Sequence, residues 1–422
     1  MSRTVNLSRF GVLAALTLVY TANQIDRQLV GILLEPIRHE FALSDSQLGF
    51  LSGIAFAMFY ATLGIPFALL ADRANRRNLI SVALALWSLA TGLCGLVSSF
   101  PQLLAARVLV GVGESGSLPT SHSMIADLYG RKDRATAMGI LSVGANLGVM
   151  IAFAAGGLIA AAWGWRAAFL IFSALGLPLA LFVRFAVPEP ARTRRRAGGA
   201  TPLDALRHIA ATPALRNLMI AAPLAATVSY AFLAWFAAYL LRAFGGTTAT
   251  VGPTLSVAIG IGGCLGTLFG GFAADRLGRG DVRWHVWISA VALVAAAPAF
   301  MASLLAPSYA LAVALFLLPA FLGIVYSGPN FALVQGLYPA HMRAMGAATY
   351  LFVVNLTGQG IGPWAVGALS DALKPGFGPL SLRWALIAIA VLWPVAAIFF
   401  VRVGRTLARD LDAQEPPATA DR

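Results

Sequence analysis

Charge is scarce in this chain. Of 422 residues only 11% are Asp, Glu, Lys or Arg while 59% are apolar, and mean hydropathy is +0.79. Soluble globular chains carry roughly a quarter charged residues, so a soluble enzyme and a disordered chain are both excluded. Cysteine is nearly missing. Cys94 and Cys264 each sit inside an apolar run, with neither a disulfide framework nor metal-ligand spacing. The sequence has no HExxH, no P-loop and no G-x-S-x-G, so nucleotide-driven pumping and a credible catalytic constellation are absent from it, and no cofactor is implied. The short alternating segments of a membrane β-barrel are also missing. The net charge of +13 comes from basic residues scattered over many short loops, which gives no nucleic-acid-binding domain.

What is present is a series of long apolar runs, such as 78–98 and 285–306. A spanning helix with its loop uses about 30–35 residues, so the length allows roughly 12–14 spans. Apolar runs read against charged breaks give twelve helices: 9–34, 46–71, 78–98, 101–125, 134–161, 164–187, 214–242, 250–274, 284–305, 308–334, 343–370 and 382–404. The first run ends in Asn23-Gln24 rather than a small-residue cleavage site, so it reads as a span and not a cleavable signal. The longest interruption carries Arg192, Arg194, Arg195 and Arg196 and then an amphipathic stretch over 203–209. The expected organisation is a six-helix bundle over 1–187, a linker over 188–213, a second bundle over 214–404 and a tail over 405–422. Of the 30 Lys and Arg, 23 fall on the side of the termini and linker, five on the other side (Arg38, Arg166, Arg242, Lys374 and Arg383), and Arg27 and Arg107 lie inside helices. The positive-inside rule then puts both termini in the cytoplasm. Two lysines against 28 arginines point to a GC-rich bacterial genome, hence a plasma (inner) membrane.

The two halves echo each other. Asp72-Arg73-Ala74-Asn75-Arg76-Arg77 at the end of the second helix recurs as Asp275-Arg276-Leu277-Gly278-Arg279 at the end of the eighth, offset by 203 residues. Leu128-Tyr129 with Arg134 recurs as Leu337-Tyr338 with Arg343, and Asn146-Leu147 as Asn355-Leu356, both offset by 209. Near-constant offsets indicate a duplicated six-helix unit, a pattern common among secondary transporters.

These residues carry a family resemblance. The Asp72 and Asp275 loops resemble the signature loop of the major facilitator superfamily, with Ala68 and Asn75 standing where glycines are usual; Asn tolerates the left-handed conformation. Arg107-Val108-Leu109-Val110-Gly111-Val112-Gly113-Glu114 is similar to the fourth-helix signature of that superfamily, and Trp163-Gly164-Trp165-Arg166 and Pro188-Glu189-Pro190 also fit. Asp26-Arg27, Glu114-Ser115 and Ile125-Ala126-Asp127-Leu128 resemble the spinster branch. The resemblance implies an all-α membrane protein of twelve helices in two pseudo-symmetric bundles that alternates access to a central cavity. It implies a secondary transporter and not an enzyme. The implied substrates are amphiphilic anions such as lysophospholipids or sphingosine phosphate. It also implies that Asp72, Arg73, Arg76, Arg77, Asp127, Arg134, Asp275, Arg276, Arg279 and Arg343 form a cytoplasmic gate. There Asp72 would face the N-terminus of the eleventh helix and Asp275 that of the fifth, where helix dipoles favour an anion.

Four ionisable residues lie deep in predicted helices: Asp26, Arg27, Arg107 and Glu114. Charges in the membrane are costly and face a partner or a cavity. With the first helix ending near residue 34, Asp26 lies ~12 Å below its outer end, between Arg107 at ~9 Å and Glu114 at ~20 Å. Two readings stand: static ion pairs locking the first helix to the fourth, or a site in which Asp26 and Glu114 take a coupling proton while Arg27 and Arg107 hold them or an anionic headgroup. The sequence leaves open which arginine Asp26 pairs with.

The second half has no acid inside its helices but offers Tyr230, Trp235, Tyr326, Asn330, Asn355 and Gln359 as amphipathic contacts. The expected partners are therefore the bilayer, protons and an amphiphilic anion, with the chain acting as a monomer. A small hydrophilic organic anion such as a sugar acid is the alternative substrate, and a membrane-embedded lipid enzyme a weaker one. Glycines of the fifth and eleventh helices fit either close packing or a hinge. The literal G-x-G-x-x-G at 111–116 lies inside a span and lacks the preceding strand of a dinucleotide site. His122 and Asp127 match an acyltransferase spacing but end a helix, with no domain to support that chemistry.

Overall fold

A computed structural model describes residues 7–71, 73–130, 133–191, 201–339 and 341–414. Among them every regular element is helical. Helix α1 (Arg9–Phe41) starts where the Ser8 hydroxyl accepts from the Gly11 N–H and stops at Ala42 in the left-handed region. It outruns its expected end by about two turns, because the polar Glu35-Pro36-Ile37-Arg38-His39-Glu40 segment finds partners and stays helical. Ser44 and Gln47 then form a capping box for α2 (Asp45–Ser52), and Gly53 breaks the second span before α3 (Ile54–Ala71). The third span is α4 (Arg76–Cys94), capped by Asn75. The fourth is split into α5 (Phe100–Glu114) and α6 (Ser117–Leu128), with the break directly after Glu114.

Helix α7 (Arg134–Ala186) runs for 53 residues, about 80 Å if straight and more than twice a bilayer core of ~30 Å. It therefore holds two passes, separated at Gly164 with φ 82° and ψ 163°. Only glycine takes that backbone freely, which explains the Trp-Gly-Trp-Arg motif. Neighbouring Trp165 and Arg166 both reach Glu40, at 2.7 and 2.5 Å.

The second half continues with the amphipathic α8 (Pro202–Ala211), boxed by Thr201 and Asp204. The spans α9 (Pro213–Phe244), α10 (Thr248–Gly278) and α11 (Trp284–Leu304) come next. The tenth span is α12 (Tyr309–Leu322) and α13 (Ser327–Gly336). The eleventh is α14 (Arg343–Val354), a π-helical stretch Asn355–Ile361, and α15 (Gly362–Phe377). The last is α16 (Ser381–Ala390) and α17 (Leu392–Asp412).

The contacts divide the chain into two compact units. The first comprises 1–195, 233–260 and 363–382; the second comprises 196–232, 261–362 and 383–422. In the first, helix α7 lies on α1 through glycines: a Cβ on Gly144 or Gly148 would stand 2.7 Å from the Thr17 carbonyl or 2.6 Å from the Thr21 carbonyl. In the second, Phe232, Phe300, Phe316 and Trp393 form an aromatic core with centroids 5.5–6.1 Å apart. Gly262, Gly266 and Gly270 bring α10 against the backbone around Ala320, Phe321 and Val325. At these positions the glycines pack helices closely.

Candidate functional site

The four deep charges of the first half converge within one unit. Arg27 donates from Nη2 to Glu114 Oε2 at 3.0 Å and to Asn23 Oδ1 at 3.3 Å. Arg107 donates from Nη1 to the Asp26 main-chain carbonyl at 3.2 Å. So Arg27 partners Glu114, while the Asp26 carboxylate lies beside Trp87 and Thr91 of α4 and within electrostatic reach of Glu114 and Arg107. Its Oδ1 meets no hydrogen-bond partner among the described residues, nor does Glu114 Oε1. Asp26, Arg107 and Glu114 are 3%, 1% and 0% exposed. Their geometry reflects the helical register: Asp26 and Arg27 are adjacent on α1, and Arg107 and Glu114 are two turns apart on α5.

An aromatic platform underlies the cluster. Phe56 and Tyr60, one turn apart on α3, stack with centroids 5.5 Å apart. Arg27 lies 5.0 Å over Phe56 and 4.3 Å over Tyr60, and Arg107 lies 5.3 Å over Phe56. Aromatic faces attract guanidinium groups in a low-dielectric site. The glycines around Glu114 make this approach possible. A Cβ on Gly111 would stand 2.8 Å from the Phe56 carbonyl oxygen, and one on Gly113 would stand 2.8 Å from Trp87 Cβ. The literal nucleotide-like motif is thus a helix-packing motif. Phe56, Tyr60, Trp87 and Thr91 escaped the sequence reading because each looks like an ordinary apolar-run residue.

A second charged cluster, not anticipated, joins segments of both sequence halves inside the first unit. Arg242 at the end of α9 donates Nε to Glu35 at 2.6 Å, and Nη1 and Nη2 to the two Asp45 oxygens at 2.9 and 2.8 Å. Arg38 donates to Glu35 at 2.7 Å, and the Ser370 hydroxyl donates to Asp45 at 2.7 Å. Asp371 accepts from the Asp45 and Ser46 N–H groups at 3.1 and 2.7 Å and from the Ser46 hydroxyl at 2.5 Å, so it caps the N-terminus of α2. Burial opposes the ionised form of Asp371, but these hydrogen bonds outweigh it and hold the group below the ordinary carboxylate value. The Arg166 hydrogen bond does the same for Glu40.

The signature loops take up distinct positions. Arg76, 1% exposed, donates to Asp127 at 2.5 Å, to Glu189 at 2.8 Å and to the Pro190 carbonyl at 2.8 Å. Glu189 also accepts the Arg77 N–H at 2.9 Å. Arg134 donates to the Tyr129 carbonyl at 3.4 Å and Arg343 to the Tyr338 carbonyl at 3.3 Å, so the sequence echo recurs as the same turn. Arg73, Asp275, Arg276, Arg279 and Arg343 are exposed. Asp72 lies outside the described residues, as do Arg192, Arg194, Arg195 and Arg196.

Of the second-half candidates, Tyr230, Tyr326, Asn330, Asn355 and Gln359 all fall in the second unit. Trp235 falls in the first, fully buried, with its indole N–H donated to the Pro363 carbonyl at 2.8 Å. That bond fixes α9 against α15 and uses its one polar atom.

A model of the Major Facilitator Superfamily matches residues 16–363. This chain belongs to the Major Facilitator Superfamily. The superfamily fold is all-helical, and its members here are transporters and efflux pumps rather than enzymes. A solved bacterial homologue of the human lysosomal transporter Spinster, in an inward-facing and unoccupied conformation, superposes with a TM-score of 0.87 at 31% identity, over 99% of this chain and 100% of that one. An MFS-type efflux pump of Mycolicibacterium smegmatis is 32% identical over 95% of this chain and 94% of its own. The hexuronate transporter of Bacillus subtilis is 27% identical over 93% of this chain and 94% of its own. The chain is therefore a multi-pass membrane transporter of this superfamily, similar to the spinster branch.

Proposed function

We propose that the chain is a proton-coupled secondary transporter of an amphiphilic anion, such as a lysophospholipid or sphingosine phosphate, working by alternating access. The observation that carries this reading is the Arg27–Glu114 pair, 3.0 Å apart and buried on an aromatic platform. A proton on Glu114 removes its charge and leaves Arg27 with a surplus positive charge in a low-dielectric site. An anion then satisfies Arg27, bidentately if it is a phosphate or carboxylate. Proton and anion bind together in this scheme. Asp26, beside Glu114 and Arg107, is the second protonatable group, and Arg107 holds the α1 backbone and stands ready as a second anion contact. The loop residues Arg73, Arg76, Arg77, Asp127, Arg134, Asp275, Arg276, Arg279 and Arg343, with Asp72, serve as the gate on the side of the termini. Both termini face the cytoplasm in a plasma membrane, and the monomer is the working unit.

A second reading has support of its own. Similarity to a hexuronate transporter, together with the fully buried Asn330 amide, favours a small hydroxylated organic anion. The test is ligand-induced thermal stabilisation of the purified protein at pH 6 and pH 8, with lysophospholipids, sphingosine phosphate and sugar acids. We expect phosphate-bearing lysolipids to stabilise the wild type more at pH 6, with the effect abolished in Arg27→Ala. Stabilisation by sugar acids alone moves the substrate to the second reading. Equal stabilisation at both pH values in wild type and Glu114→Gln refutes the proton role.

A further inference from the structure

The second unit holds a polar cluster of a different kind. The sequence has no Asp, Glu, Lys, Arg or His from 286 to 340 or from 344 to 370. Yet α9, α13, α14 and the π-helical stretch bring polar groups together there. Tyr230 Oη stands 3.5 Å from Asn355 Oδ1. Tyr326 has Tyr230 and Tyr350 as electrostatic neighbours, with Ser229 beside it. Gly358 packs on Tyr230, where a Cβ would stand 3.0 Å from Cδ2 of the ring. One turn along α13 from Tyr326 is Asn330, 0% exposed, and both its Oδ1 and its Nδ2 meet no hydrogen-bond partner among the described residues.

A buried amide with neither end satisfied is costly, and proteins seldom keep one without a reason. Asn330 offers an acceptor and two donors within a few ångströms of each other. An anionic or ammonium group finds no countercharge in this part of the sequence. A bare alkyl chain leaves the amide unpaired. An alcohol, which both donates and accepts, matches it, and a vicinal diol matches both ends at once. Phenol rings at Tyr230, Tyr326 and Tyr350 supply apolar faces for the carbons that bear such hydroxyls.

We infer that Asn330, with Tyr230, Tyr326, Tyr350 and Asn355, forms a hydroxyl-reading subsite that takes the uncharged, hydroxyl-bearing part of the transported anion. This inference rests on the transport reading above. The chemistry is shared by the glycerol of a lysophospholipid and the ring hydroxyls of a sugar acid, so the two sources need separate arms.

The experiment measures Kd for matched pairs on the purified full-length protein: lysophosphatidic acid against its 2-deoxy form, and a hexuronate against a deoxyhexuronate. A site built to hydrogen-bond a hydroxyl discriminates strongly against its loss. In the wild type we expect about 10- to 100-fold weaker binding of the deoxy member in the arm that binds, the loss of one buried hydrogen-bond partner. In Asn330→Leu the two members should bind within about threefold of one another, and Asn330→Gln should recover part of the preference. The ligand-free Asn330→Leu protein should be as thermally stable as the wild type or more so, because an unpaired amide has been removed. A merely structural Asn330 would lower stability and leave the hydroxyl preference intact, which overturns the inference. Equal binding of both members to the wild type overturns the subsite and leaves the transport reading standing. Binding in neither arm overturns both.

Discussion

The buried Arg27–Glu114 pair allows a quantitative test by double-mutant cycle. The side chains are 8% and 0% exposed with a contact of 3.0 Å. For two unit charges ~4 Å apart at an effective dielectric constant of ~20, the attraction is about 4 kcal/mol. Desolvation offsets much of this, so the intact pair contributes little net stability, whereas removal of one partner costs about 3–5 kcal/mol. Glu114→Gln belongs near the lower end, because Arg27 keeps Asn23 and the face of Tyr60. Arg27→Met belongs near the upper end, because Glu114 is then balanced by Arg107 through space without a hydrogen bond from it. Removing both charges in Arg27→Met/Glu114→Leu leaves only lost packing and lost hydrogen bonds, so the double variant should be less damaged than the sum of the singles by at least about 2 kcal/mol. The assay is reversible unfolding in mixed micelles, titrating the fraction of denaturing detergent and following helicity. Losses that add to within about 0.5 kcal/mol would falsify the direct pairing.

Two further predictions concern packing and the Arg242 cluster. Gly113→Ala should destabilise by about 1–3 kcal/mol by overpacking against Trp87, while Gly139→Ala, where a Cβ meets nothing within 4 Å, should be neutral or slightly stabilising; equal midpoints for the two variants would sink the packing account. Asp371 and Glu40 titrate below their ordinary values in the folded protein, so their stabilisation is fully present above the unfolded carboxylate value of about 4 and is lost as pH falls through the lower folded values. Thermal midpoints between pH 7 and pH 3 should therefore fall less steeply for Asp371→Asn than for the wild type, and an unchanged acid slope in the variant would contradict the capping role.

Much of the architecture was legible because span length and apolar runs report directly on the bilayer. Asp26, Arg27, Arg107 and Glu114 were legible for the same reason: a charge in a long apolar run is conspicuous, and helical rise fixes its depth. Their pairing was not, since it depends on which faces of α1 and α5 meet. The clustering of Glu35, Asp45, Arg242 and Asp371 was not legible, because they lie at predicted helix ends, where charges are ordinary. Their significance comes from contacts between segments some two hundred or more residues apart. Gly53 and Ser115-Gly116 mark breaks that periodicity passes over, since an apolar run reads the same on both sides of a kink, whereas the break at Gly164 falls where the fifth and sixth spans were expected to part. The repeat was legible in sequence and recurs locally: the Arg134–Tyr129 and Arg343–Tyr338 turns are alike to their acceptor atoms.

The π-helical stretch Asn355–Ile361 changes how the eleventh span is to be read. A π turn accommodates an additional residue, so the residues beyond it are turned by roughly 100° relative to an unbroken α-helix. A helical wheel drawn from Asn355 therefore misplaces Trp364, Gly367 and Ser370. Ser370 reaches Asp45 because of that turn as much as because of its distance along the axis. The stretch ends at Ile361, and the chain leaves the second compact unit after Gly362. A substitution chosen from an α-helical wheel through Asn355 would therefore land on the wrong face of α15.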